Sequence, residues 1–197
     1  MKLSGLELIL QRVYDFDDPK PQLEQYLTPA TIAAEVVYRA YMLGDLNDKR
    51  VADLGCGTGM LGIGAAILGG KVVGIDVDEN AIKKAKKFCK ENSISAEFLC
   101  MDVKDFNERV DTVIMNPPFG SQKKHADREF LKKACEIAKV IYHIHLKETE
   151  EFVMNYYRKR ANRVMKLAEY SFPLKHRFTF HKKQKIEYRI NLLRVEV

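Results

Sequence analysis

The sequence predicts one α/β domain: a mostly parallel, seven-stranded sheet with helices on both faces and an antiparallel last strand. Three observations lead there. From residue 50 onward, short apolar runs alternate with helical patterns, which is the signature of parallel strands joined by right-handed crossovers. A glycine-rich turn, Asp53-Leu54-Gly55-Cys56-Gly57-Thr58-Gly59, links the first of these runs to the first of these helices. Near the end, Ile186, Tyr188, Ile190 and Leu192 alternate with polar neighbours, as in an antiparallel strand with one buried face.

The elements follow in order. Leu3, Leu6, Ile9, Leu10 and Val13 fall at helical spacing, so residues 3–14 read as a short amphipathic helix, broken by Asp17-Asp18-Pro19-Lys20-Pro21. Thr28 reads as an N-cap with Pro29 at the first helical position, and the helix runs on through Ile32, Val36 and Ala40 to Gly44. Residues 50–54 form strand one, 60–68 a helix, and 71–75 strand two, which closes on Asp76. A lysine-rich helix spans 80–91, strand three 96–100 with Asp102 just beyond it, and strand four 111–115. Helices over 127–138 and 148–160 flank strand five at 140–145, and strands six (163–172) and seven (186–197) finish the chain. There is no repeat, linker or low-complexity tract.

Composition narrows the class. The 197 residues, 46% hydrophobic and 30% charged, fit a single soluble domain, 1–197. No apolar run approaches the roughly 20 residues needed to cross a bilayer, and the N-terminus lacks a signal-peptide core. Four cysteines (Cys56, Cys89, Cys100, Cys135) form no C-x-x-C pair, which fits a reducing, cytoplasmic setting. His143 and His145 share a strand face without a third ligand, so no metal site is expected. The net charge of +6 is uneven, with Lys175, His176, Arg177, His181, Lys182, Lys183 and Lys185 crowded into one loop. Lys182, Lys183 and Lys185 are candidates to grip phosphate backbone.

Ligands of such sheets bind beyond the carboxyl ends of the strands, and the notable residues all fall there. Glycines in the turn after strand one let a ligand approach the backbone, and Asp76 stands where a carboxylate can accept from both hydroxyls of a ribose. Gly57-Thr58-Gly59-Met60-Leu61-Gly62 matches the dinucleotide pattern G-x-G-x-x-G only in a shifted register, because Gly55 is the residue that follows the strand. Strand four ends in Asn116-Pro117-Pro118-Phe119. Two prolines without N–H groups stop the ladder, leaving an amide, a carbonyl and an aromatic face on a stiff turn. That combination suits a flat group bearing an amino nitrogen.

Together the two motifs resemble those of the Rossmann-like class I methyltransferases that use S-adenosylmethionine. In that class a D-x-G-x-G-x-G loop holds the cofactor, and N-P-P-[YF] marks methylation of an amino nitrogen. Leu23–Thr28, Ile32–Ala34, Val51–Gly59, Gly74–Asp78, Asp111–Gly120 and Phe180–Lys183 more closely resemble the methyltransferase-like protein 5 family, which makes N6-methyladenosine in small-subunit ribosomal RNA. The resemblance implies a cofactor site including Gln25, Thr28, Gly55, Thr58, Met60, Asp76, Val77, Asp102 and Val103, together with Asp53, Gly57 and Gly59 of the loop. It implies residues 1–49 as a helical extension over that site, and a small zinc-binding activator of the Trm112 type as partner. Thr28-Pro29-Ala30-Thr31 departs from the family in lacking an arginine or histidine.

The chemistry expected is direct transfer of the sulfonium methyl group. Asn116 Oδ1 and the Pro117 carbonyl would accept from the adenine amino group and localise its lone pair, Pro118 would stiffen the turn, and Phe119 would stack on an unstacked base. Asp53 is expected to hold the loop or reach the methionine ammonium, and Asp102 to take the cofactor's adenine. The same tetrapeptide serves protein-glutamine N5 and DNA adenine-N6 methyltransferases. A non-catalytic nucleoside-binding scaffold is the alternative from another class.

Overall fold

The computed structural model describes residues 1–119, 127–174 and 186–197. Two helices, α1 (Leu3–Leu10) and α2 (Ala30–Met42), precede the sheet. The sheet comprises β1 (Arg50–Leu54), β2 (Lys71–Asp76), β3 (Glu97–Cys100), β4 (Val110–Met115), β5 (Ala138–Leu146), β6 (Arg163–Leu174) and β7 (Ile186–Glu196). Between them lie α3 (Met60–Ile67), α4 (Glu79–Glu91), α5 (Asp127–Ile137) and α6 (Glu150–Arg158).

The strand order is β3-β2-β1-β4-β5-β7-β6. The pairs β1–β2, β2–β3, β1–β4 and β4–β5 are parallel, and β7 runs antiparallel to both its neighbours. The order reverses between β1 and β4, which makes their carboxyl ends the topological switch point where such sheets bind ligands. The period of two is visible along β5. Tyr142 and Ile144 enter the core with α1–α4, and Ile141 enters the opposite core with α5 and α6. Gly64 brings α3 close to its neighbours, since a Cβ there would lie 3.0 Å from Val37 Cγ2 and 3.3 Å from Leu10 Cδ1.

Several boundaries shift by one or two residues from the sequence expectation, and two differ for a visible reason. The first helix stops at Leu10 because the N–H groups of Arg12 and Val13 turn to the carbonyls of Ile9 and Leu10, three residues back. The second helix begins at Ala30 with Pro29 as its cap at ψ 136°, so Pro29 is outside the helix and Thr28 is not its cap. The Thr28 hydroxyl is committed elsewhere, to Asn116.

β7 outruns its neighbour. β5 ends at Leu146 opposite Ile190, while residues 186–189 pair only with 171–174 of β6. This two-stranded extension projects from the carboxyl edge of the sheet.

Candidate active site

At the switch point a cavity of about 440 Å³ opens between the carboxyl ends of β1, β2 and β4 and the segment preceding α2. Its floor is the glycine loop. Gly57 holds a left-handed backbone (φ 53°), and its N–H donates to Asp76 Oδ2 at 2.8 Å. A Cβ on Gly57 would stand 2.8 Å from the Phe16 ring, which packs directly over the loop. Asp76 Oδ1 accepts from the Asp78 N–H at 2.9 Å, so the carboxylate that closes β2 and the loop that follows β1 brace each other.

Asp53, the last residue but one of β1, faces α3, is 1% exposed and accepts the Gly62 N–H at 2.7 Å. Burial pushes its carboxyl up to about 7, against the pull of that N–H and with a further push from Asp76. Burial also raises Asp76, more than the N–H bonds from Asp78 and Gly57 lower it. Burial disfavours the charged form of both carboxyls in this cavity, and a cationic guest would offset that.

The segment before α2 is tied down on both sides. The Gln25 amide spends both ends structurally, donating to Asp78 Oδ2 at 2.6 Å and accepting the Lys20 N–H at 2.7 Å. Lys20 Nζ reaches Asp78 Oδ1 at 2.8 Å. Burial would raise the Asp78 carboxyl, but the Lys20 ammonium and the Gln25 amide outweigh it and hold it below the usual range. On its other side, facing the turn after β4, Thr28 Oγ1 accepts from Asn116 Nδ2 at 3.0 Å, and a carboxylate oxygen of Glu24 accepts the Phe119 N–H at 2.7 Å. Asn116 Oδ1 is left buried without a hydrogen-bond partner, as is Thr58 Oγ1. The Phe119 ring meets Phe172 of β6 edge-on, 6.3 Å between centroids.

Most of the residues singled out in the sequence converge on this cavity. Gln25, Thr28, Asp53, Gly55, Gly57, Thr58, Met60, Asp76, Val77, Asp102, Val103, Asn116 and Pro118 all line it. Asp102 also caps the turn after β3, accepting the Lys104 N–H at 3.0 Å. Gly59, Pro117 and Phe119 are not in the lining. Gly59 is the left-handed N-cap of α3 (φ 92°), where a Cβ would meet Ile63, Ala85 and Phe98 at 3.0–3.1 Å. Lys182, Lys183 and Lys185, with the rest of the basic loop, lie outside the described residues.

A family model for the methyltransferase small domain matches residues 39–141. The rRNA N6-adenosine-methyltransferase METTL5 of Danio rerio is 36% identical, with 98% of each chain covered. The chain belongs to the methyltransferase-like protein 5 family. Its Drosophila melanogaster relative of the same description is 31% identical over 100% of this chain and 97% of that one. Among solved structures, the Pyrococcus horikoshii protein PH1948 superposes with a TM-score of 0.88 at 39% identity, covering 100% of this chain and 98% of that one. The protein is thus a class I methyltransferase in fold and family.

Within this methyltransferase-like protein 5 chain, sequence reasoning missed Phe16, Glu24 and Phe130. Phe16 and Phe130 flank the glycine loop, each within 2.9 Å of where a loop Cβ would stand. Glu24 lay inside the Leu23–Thr28 segment that carries the family resemblance, beside Gln25, with no role of its own expected. No helix among the described residues is long and apolar enough to cross a membrane.

Proposed function

We propose that the protein transfers the methyl group of S-adenosylmethionine to N6 of an adenosine in small-subunit ribosomal RNA. The observation that carries this reading is the Asn116 amide. Thr28 takes its nitrogen, so its oxygen is turned out as a buried acceptor with no partner, a state that costs about 1–3 kcal/mol until a donor arrives. An amino group bearing two N–H bonds is such a donor, with the Pro117 carbonyl as its second acceptor.

The cavity fits the methyl donor. Asp76 would take the ribose hydroxyls, Asp102 and Val103 the adenine, and the glycine loop with Asp53 the amino-acid end. The cationic character of the donor answers the two reluctant carboxyls. When bound, S-adenosylmethionine supplies an electrophilic methyl group on a positively charged sulfur. Asn116 and Pro117 draw the target nitrogen toward a tetrahedral geometry with a localised lone pair. Phe119, braced by Phe172, offers a face on which a flipped base can stack, a contact worth on the order of 1–3 kcal/mol. The relatives named as rRNA N6-adenosine methyltransferases support the choice of acceptor.

The proposal extends to Lys182, Lys183 and Lys185 as phosphate contacts, to a Trm112-type activator, and to a cytoplasmic site of action, the last in keeping with four free cysteines. Of residues 1–49, Phe16 and the stretch 22–28 form the cover of the donor site in this reading, while α1 and α2 pack in the core. The test is incubation with labelled methyl donor and deproteinised ribosomal RNA, with and without co-expressed activator, followed by digestion to nucleosides. Labelled N6-methyladenosine is expected. Label in a release-factor protein or in DNA, with none in RNA under either condition, would replace the acceptor.

A further inference from the structure

The geometry points to Glu24 as a positioning residue that seats the acceptor turn and joins it to the donor side of the cavity. This rests on the acceptor reading above. Pro117 and Pro118 have no N–H, so beyond Asn116 the first backbone donor of the turn is that of Phe119. Glu24 takes that donor at 2.7 Å, across 95 positions of sequence. A charged acceptor makes this roughly twice as strong as a neutral hydrogen bond. It fixes the peptide that carries the Phe119 ring, whose other brace is Phe172.

The backbone of Glu24 is itself unusual. Its φ of 49° and ψ of 45° are left-handed, a conformation a non-glycine residue holds only when its surroundings impose it. The other described non-glycine residues at positive φ, Asp48 and Ser93, sit exposed in turns, whereas Glu24 is 9% exposed. What imposes the twist is visible on either side. The Glu24 N–H donates to the Pro21 carbonyl, the Tyr26 N–H returns to the Glu24 carbonyl, and the Gln25 amide is clamped between Lys20 and Asp78. One peptide unit therefore separates a side chain anchored on the donor side from one anchored on the acceptor turn.

The consequence is kinetic. Removing the Glu24 carboxylate frees Phe119 and the peptide before it while leaving Asp78, Asp76 and the glycine loop in place. Misplacement of about 1 Å in such a site costs up to roughly a hundredfold in rate. Glu24→Ala is expected to lower the single-turnover methylation rate on ribosomal RNA by roughly ten- to a hundredfold, with donor affinity changed less than about threefold. Glu24→Gln keeps an acceptor oxygen and is expected to recover most of the rate. Amide hydrogen exchange supplies the readout independent of activity: protection at Phe119 should fall in Glu24→Ala, return in Glu24→Gln, and stay unchanged at Gly57 and Gly62. Unchanged Phe119 protection overturns the proposal, as does a parallel loss of rate, donor affinity and protection throughout the protein. If the parent protein proves inactive on RNA while Phe119 protection still follows Glu24, the acceptor assignment falls and the seating role stands.

Discussion

Asp53 illustrates how a single buried carboxyl reports on the site. Its folded-state value near 7 exceeds the ordinary 3.8, so folding favours the protonated form. That contribution is full below about pH 4 and is lost as the pH rises through about 7. Without methyl donor, Asp53→Asn should therefore melt higher than the parent protein at pH 8, the gap closing as the pH falls toward 4. Melting temperature against pH tests this, and a gap constant with pH would show that another group titrates. At Asn116, truncation to alanine should abolish turnover while donor affinity, measured by calorimetry, changes little. Equal loss of both would make the asparagine structural. Thr28→Val leaves Asn116 in place but removes the acceptor that orients its amide, and a fall in rate of roughly tenfold is expected for one lost hydrogen bond. The meeting of Asn116, Asp76 and the glycine loop at one cavity was legible because strand ends and short motifs mark their places. The contacts of Thr28 and Glu24 were not, since their partners lie 88 and 95 positions away and only the folded chain brings them together.

At the level of elements, strands and helices were legible to within a few residues, because buried parallel strands are short apolar runs and the helices keep a clear apolar stripe. Helix ends were less so. Residues 11–13 keep the apolar spacing of α1 yet leave the helix, and the proline before α2 became a cap when its neighbouring hydroxyl was drawn into the site. The packing role of Gly74 in β2 was equally invisible. A Cβ there would sit 2.5 Å from Phe98 Cδ1 and 3.1 Å from Cys56 Sγ. Phe98 is 1% exposed and has nowhere to retreat. Gly74→Ala should therefore destabilise the protein by about 1–3 kcal/mol in urea unfolding, although alanine ordinarily suits a strand better than glycine. A neutral or stabilising result would mean that β2 and β3 part easily.

Across the whole molecule, the two ends of the sequence are bound by one polar cluster. Asp45, just before β1, accepts from Arg194 Nε at 2.8 Å, from Arg194 Nη2 at 3.2 Å and from the Tyr142 hydroxyl at 2.6 Å. Arg194 also pairs with Glu196 on β7. The Arg194 and Asp45 side chains are only 11% and 13% exposed, so removing one leaves a charge poorly hydrated. Arg194→Met is expected to cost about 3 kcal/mol in denaturant unfolding. Lys139→Met removes an ion pair to Asp111 from a side chain 78% exposed and should cost less than about 1 kcal/mol. Equal effects would show that the cluster carries no special weight. Nothing in the sequence marked Asp45 or Arg194, because a charged residue reads as surface until its partner is known.

The ends of β6 and β7 that run past β5 have a mechanical meaning. They touch the acceptor turn through Phe172, yet their pairing beyond Ile190 involves no other strand. Residues 171–174 and 186–189 rely on each other for backbone pairing, so a slip of register between them leaves the ladders of β1–β5 as they are. Such a slip would move Phe172, which is 1% exposed, against the turn that carries Phe119.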